Sequence, residues 1–260
     1  MKRTYTTTTD IFNLPAPNAA TFDFSNPAHI TIAIPTESQW FMPYHWHNSH
    51  LDGKRLRCIE GKLQLYVATI QADGRVADYS HFCGSSWQIF DINQHVGWHR
   101  SKIASQRRPL KVEYEADQAL HRNLCSAILD RDIYPRLSST PVWIKGLFAT
   151  VACIPGVKNW LLDRALGVQL EMIYYRHDFH VRHGSIWFQL PWLLLSWGHE
   201  EPPLWTEKAY VWSLIVFSGV VMGTTYWFGR LVLGMKGEYA EYSPRVARTA
   251  EEKAAVQLRS

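Results

Sequence analysis

His45-Trp46-His47, within Pro43-Tyr44-His45-Trp46-His47-Asn48-Ser49-His50, is the stretch of this chain best suited to chemistry. On an extended strand, residues two apart share a face because side chains alternate with period 2. Two neutral imidazoles on one face are half of a first-row metal site. A third histidine, His99, follows in Asp91-Ile92-Asn93-Gln94-His95-Val96-Gly97-Trp98-His99. His45 and His47 are therefore candidate ligands for a divalent transition metal, and His99 is a further imidazole downstream. The same three are the candidate catalytic residues in a metal-free version. A neutral imidazole, with an unperturbed pKa of ~6.5, serves as general acid or base.

The elements that must position these histidines are short strands. His29-Ile30-Thr31-Ile32-Ala33-Ile34, Lys62-Leu63-Gln64-Leu65-Tyr66-Val67 and Leu110-Lys111-Val112-Glu113-Tyr114 alternate, with turn signals at Asp52-Gly53, Asp73-Gly74 and Cys83-Gly84-Ser85-Ser86. Many short strands at regular spacing predict a mainly β fold, a double-stranded β-helix or jelly-roll over residues 28–115. Residues 1–27 read as an ordered arm or a loose tail. Residues 116–208 turn helical, with one helix opening at Asp117-Gln118-Ala119-Leu120 and a second pattern over 158–166 ending at Gly167. A C-terminal hydrophobic helix occupies 209–235, and 236–260 is a polar tail.

These residues resemble the two histidine motifs of the cupins. His45 and His47 match the HxH of the first motif, Gly61 its closing glycine, and His99 the histidine of the second, so the resemblance implies a site of His45, His47 and His99 for Fe, Mn, Ni or Zn with positions open for substrate or oxygen. The chain is moreover similar to a group of fungal cupin-domain proteins of polyketide biosynthesis, over most of residues 35–245. The shared features are His45-Trp46-His47, the strand Leu110-Lys111-Val112-Glu113, an aromatic helical region, and an ending in Gly234-Met235-Lys236-Gly237-Glu238-Tyr239. The resemblance implies an oxidoreductase on an apolar aromatic or polyketide intermediate, working beside short-chain dehydrogenases in making alkyl salicylaldehydes. Two positions depart from the pattern. Lys54 stands where the first motif has its glutamate, and a protonated ammonium beside a dication is repelled. Asp52, Glu60 or His50 are the possible stand-ins. Asn93 replaces the usual proline of the second motif, and His95 competes with His99. An isomerase or cyclase that shuttles protons without net redox, and a membrane-anchored carrier of a lipophilic intermediate, are the alternative readings.

Other features bound the function. With 260 residues, a net charge of +4 and no basic stripe, nucleic acid is not an expected partner. There is no GxGxxG fingerprint, so a nicotinamide in a Rossmann domain is not expected. Cys58, Cys83, Cys125 and Cys153 form no CxxC pair and read as reduced core thiols. Met1-Lys2-Arg3 has no apolar run behind it and is not a secretory signal. His177, His180 and His183 recur as on one side of a helix, and read as a basic face. Phe82, Trp87, Phe90 and Trp98 are either barrel core or the wall of an aromatic pocket. From Ala209 to Gly229 run 21 uncharged residues, with aromatics near both ends. That length suits a membrane span, anchoring the protein in an intracellular membrane such as the endoplasmic reticulum; burial against protein is the alternative.

Overall fold

The computed structural model describes residues 3–40, 45–47, 54–61, 63–70, 76–83, 89–92, 97–103, 108–115, 118–177, 179–181, 204–239 and 241–242. At 45–47, 54–55, 63–70, 76–83, 89–92, 97–103, 155, 179–181, 204–212 and 214–215 that description is of the backbone alone.

Ten strands come first: β1 (Ile11–Leu14), β2 (Ala20–Asp23), β3 (Ile30–Ile34), β4 (His45–His47), β5 (Lys54–Glu60), β6 (Leu63–Ile70), β7 (Val76–Cys83), β8 (Ile89–Ile92), β9 (Gly97–Ile103) and β10 (Leu110–Tyr114). An eleventh, β11 (Phe179–Val181), joins them from the helical region. They form a six-stranded sheet in the order β1-β2-β3-β10-β5-β8 and a five-stranded sheet in the order β11-β4-β9-β6-β7. Counting β3 to β10 as one to eight, the first sheet runs one-eight-three-six and the second two-seven-four-five. All the pairs are antiparallel. This is the strand order of two interleaved Greek keys, a jelly roll. The double-stranded β-helix expected from the alternating runs is the fold of this region.

The six-stranded sheet shows why. Its strands alternate buried and less buried positions, as in β3, where Ile30, Ile32 and Ile34 are buried and Thr31 and Ala33 are not fully so. Leu56, Cys58, Leu110, Val112 and Tyr114 complete that inner face. At the end of β5 the chain turns at Gly61, whose φ is +88°. A Cβ there would run into the carbonyl oxygen of Pro109, so the position needs glycine on two counts.

Residues 1–27 are more than an arm. β1 and β2 pair with each other and then with β3, widening the six-stranded sheet. Phe12, Leu14, Phe22 and Phe24 are buried, and Phe12 meets Phe24 edge to face at 5.4 Å between centroids. Arg3 ties the first residues to Tyr239 and Tyr242: its guanidinium lies 3.6 Å from the centroid of the Tyr239 ring and donates to the Tyr242 hydroxyl at 2.8 Å.

The helical region holds α1 (Gln118–Leu129), a short 3-10 helix (Arg131–Arg136), α2 (Val142–Thr150), α3 (Pro155–Arg176) and α4 (Leu204–Leu231). α1 is buried from Leu120 to Ala127, between the six-stranded sheet and α3. α3 runs straight through Gly167, where the sequence pattern ends a helix; a Cβ at Gly167 would meet nothing, so no close approach fixes glycine there. Cys58 and Cys125 are buried free thiols as expected, whereas Cys153 is exposed.

The membrane-spanning reading of 209–235 is corrected. Among the described residues no helix is long and apolar enough to cross a membrane. α4 starts at Leu204, five residues before the uncharged run, and takes Glu207 and Lys208 into its first turns. It packs on α3: Ser218 and Met222 are fully buried, and Gly229 fits against Val168 and Met172. Ser218 and Gly229 dilute the apolar run on the side of this helix that packs on protein.

Candidate functional site

The five-stranded sheet brings the three candidate histidines together through backbone register. β4 and β9 pair at His45 opposite His99. Directly opposed residues of an antiparallel pair share a face, with Cβ atoms about 4.5–5.5 Å apart. His47 lies two residues along β4 and joins the same face by parity. β4 is an interior strand, since β11 covers its other edge with Phe179 opposite His47 and Val181 opposite His45.

The composition of the two faces identifies the inner one. The histidine face also carries Leu63, Leu65 and Val67 of β6, Ile103 of β9, and Phe179 and Val181 of β11. The other face carries the charged Asp78, Arg100 and Lys102, with Gln64, Ser80 and His180 and the apolar Trp46, Tyr66, Ala68, Ile70, Val76, Phe82 and Trp98. The face without Asp, Lys or Arg is the one a sandwich encloses, because an unpaired charge is costly to remove from water. By register the three histidines share a face with the aliphatic positions Leu63, Leu65, Val67 and Ile103 and with Thr69 and Ser101.

Lys54, at the place of the expected glutamate, opens β5 in the opposite sheet and pairs with Ile92. It has the same parity as Leu56 and Cys58, which are buried, so it belongs to the inner face of that sheet. Glu60 is exposed and lies beyond a register shift in the pairing of β5 with β10, which removes it as a stand-in ligand. Asp52, His50 and His95 lie outside the described residues.

Two residues of the same face were not legible as candidates. Tyr79 and His81 of β7 sit in register with Val67 and Leu65, and through these with His99 and Ser101. They are two strands from His99, or ~10 Å at the usual strand spacing. That is too far to share a metal with His99 and close enough to reach one substrate with it. The signal was the period-2 parity of Val76–Cys83, which carries no motif of its own.

Other expectations are corrected. Phe82 and Trp98 hold register positions on the face opposite to that of His99. Phe90 pairs with Leu56 on the inner face of the six-stranded sheet, and Trp87 lies outside the described residues. His177, His180 and His183 share no helix. α3 ends at Arg176, His177 caps it, and His180 is in β11, while His183 lies outside the described residues. His177 Nε2 is 3.8 Å from Glu238 Oε1, and Arg176 reaches the same carboxylate at 3.4 Å. Among the side chains described, no group of three or more His, Cys, Asp or Glu is set to hold a metal, and Arg176 and Glu238 form an ion pair.

No protein-family model matches the sequence, and no curated protein matches it. Solved structures give remote similarities over part of the chain. CapF with the inhibitor 3-isopropenyl-tropolone shares 13% identity at a TM-score of 0.30, over 40% of this chain and 28% of that one. The Drosophila melanogaster CENP-C cupin domain shares 8% at a TM-score of 0.29, over 40% and 74%. An oxalate decarboxylase shares 12% at a TM-score of 0.27, over 42% and 28%. The chain thus spans less than a third of the CapF and oxalate decarboxylase chains. The assignment to the double-stranded β-helix rests on the strand order above.

Proposed function

We propose that this chain is a cupin-type oxidoreductase acting on an apolar aromatic or polyketide-like intermediate at the histidine face. In this reading His45, His47 and His99 hold a divalent transition metal (Fe, Mn, Ni or Zn). The observation that carries it is the register that pairs His45 with His99 and brings His47 to the same face. The donor set fits: three neutral imidazoles from two adjacent strands suit a first-row metal and leave positions open. Such a metal, when bound, supplies Lewis-acid polarisation of a carbonyl or activation of oxygen.

The chain's own residues do the rest. Leu63, Leu65, Val67, Phe179 and Val181 line the same face and favour an apolar substrate over water. Tyr79 and His81, two strands away, are the groups that give or take a proton at the far end of that substrate. The sequence lacks a dinucleotide fingerprint, so nicotinamide chemistry falls to a partner enzyme such as a short-chain dehydrogenase. The substrate class is proposed from the sequence resemblance to fungal polyketide-pathway cupins.

Metal analysis tests the reading. Full-length protein reconstituted in turn with Fe(II), Mn(II), Ni(II) and Zn(II) should take up close to one equivalent of at least one, and the variant His99→Ala should not. Sub-stoichiometric uptake of all four by the unaltered protein overturns it.

One observation favours a second reading. Lys54 on the inner face of β5 puts an ammonium where a metal-binding cupin has a carboxylate. An isomerase or cyclase follows, in which the imidazoles move protons and Lys54 stabilises a developing enolate. Failure of metal uptake, with activity on an enolisable apolar ketone lost in Lys54→Met, is its signature.

A further inference from the structure

α4 buries one side and leaves the other bare. Toward α3, Ser218 and Met222 are fully buried, and Gly229 meets Val168 and Met172. On the opposite side Val216, Val220, Thr224, Trp227 and Leu231 recur at i, i+4, i+8, i+11 and i+15, one stripe of a 3.6-residue helix. The stripe is ~22 Å long at 1.5 Å per residue. Val216 and Val220 are each 61% exposed, Trp227 54% and Leu231 74%. Its polar member, Thr224, donates its hydroxyl to the Val220 carbonyl at 2.8 Å, so the stripe keeps no hydroxyl proton for water. An open groove of about 550 Å³ follows its edge, lined by Gly219, Gly223 and Phe228 among others.

A second bare surface adjoins it. Val157, Trp160, Arg164 and Val168 lie along one stripe of α3. α4 covers the Val168 end, while Val157 and Trp160 are exposed. The exposed end of that stripe is on the side of α3 on which α4 lies. On α2, Val142 and Trp143 are exposed while Ile144 and Phe148 are buried. Gly234 packs on Pro141, which brings the end of α4 beside the start of α2. Among the described residues nothing covers these surfaces.

The charges select the occupant. Residues 133–162 contain no Asp or Glu but include Arg136, Lys145 and Lys158. The carboxylates at the edge, Asp132 and Asp163, are both engaged by Arg131, at 2.7 and 2.8 Å. Each of two bare tryptophans carries a cation: Arg164 is 5.5 Å from the Trp160 ring centroid, and Arg230 is 5.8 Å from that of Trp227. Tryptophan with arginine or lysine at the margin of an apolar face is the composition of a membrane–water interface. A second copy of the chain would bring these cations against each other with no acidic complement. A bilayer with anionic headgroups supplies that complement, at ~1 kcal/mol for each Lys or Arg near the surface.

We infer that the outer face of α4 and the α2–α3 elbow rest on an anionic lipid surface, with α4 lying in the plane of the interface. This holds with or without a metal at the histidines. Flotation of the full chain with vesicles tests it, using phosphatidylcholine alone or with about a third phosphatidylserine. Binding is expected on the anionic vesicles, is expected to weaken as salt rises, and should fall at least about tenfold in Trp160→Glu/Trp227→Glu, with metal content unchanged. Lys145→Glu/Lys158→Glu gives the same loss through charge alone, and covers the case of a tryptophan variant that fails to fold. No binding to either vesicle, or binding that neither pair of substitutions reduces, overturns the inference. A lipid-free dimer in the ultracentrifuge, abolished by Trp227→Glu, also overturns it and assigns the face to a second copy.

Discussion

His45 and His99 are cross-strand partners in the antiparallel pair of β4 and β9. Two chain segments more than fifty residues apart thus meet at a single rung. If this rung is the heart of a metal site, His45→Ala and His99→Ala should each weaken metal binding about tenfold or more, at least ~1.4 kcal/mol. The double variant should lose less than the sum of the two, because either change already breaks the donor set. Trp46→Phe, on the opposite face, should retain metal. Metal content after gel filtration checks this. Full retention in His45→Ala would detach the rung from metal chemistry.

Lys54 offers a gain-of-function test. It opens β5 with the parity of the buried Leu56 and Cys58. Lys54→Glu replaces a repelled cation with an oxygen donor. We expect metal affinity to rise at least about tenfold, ~1.4 kcal/mol, in competition with a chromophoric chelator. An unchanged affinity would mean that position 54 is out of reach of the histidines.

The β region was legible because its signal is local. Alternation in β3, β6 and β10 gives strand identity and face, and parity puts His45 and His47 together before any pairing is known. That His99 joins them needed only the fold class. Tyr79 and His81 were hidden because their link to the site runs through β6, a register between distant strands that no spacing in the sequence encodes. His177 and His180 misled for the converse reason. A three-residue period implies a helix only if the helix continues, and the chain leaves α3 at His177 to add β11 beside β4. Residues 209–229 misled through average hydrophobicity. The uncharged length suggests a span, but which face of the helix is buried depends on α3.

Gly61 should be intolerant of any side chain. Its φ of +88° disfavours L residues, and its Cβ position is taken by the Pro109 carbonyl. Gly61→Ala is expected to cost about 2–4 kcal/mol, from backbone strain of ~1–3 kcal/mol plus displacement of the segment before β10. Urea denaturation measures it. Gly167→Ala, inside α3 with nothing near the added methyl, should instead stabilise by ~0.5–1 kcal/mol. Equal effects at the two sites would contradict the described turn.

Tyr114 links packing to pH. Its ring is 1% exposed and meets His121 edge to face at 5.9 Å, and its hydroxyl is buried without a hydrogen-bond partner among the described residues. Burial pushes its ionisation well above the ordinary tyrosine range, and the same cause acts on Tyr174 and Tyr242. Below pH ~10 these phenols are neutral in both folded and unfolded chains and make stability no function of pH. Above it the unfolded chain loses their protons while the fold keeps them, so stability falls by ~1.4 kcal/mol per pH unit for each. The sign is that of a group raised on folding: its contribution is complete below the unfolded pKa and is lost as pH climbs toward the folded one. Tyr114→Phe should shallow the alkaline slope by one such increment. At pH 8 it should leave stability equal or raise it by up to ~1 kcal/mol, since the substitution removes a desolvated hydroxyl that gains nothing in return. Denaturant midpoints measured from pH 8 to about 11 give both quantities. A loss of more than ~1 kcal/mol at pH 8 would show that the hydroxyl is bonded after all, and that the inner face holds a polar partner for it.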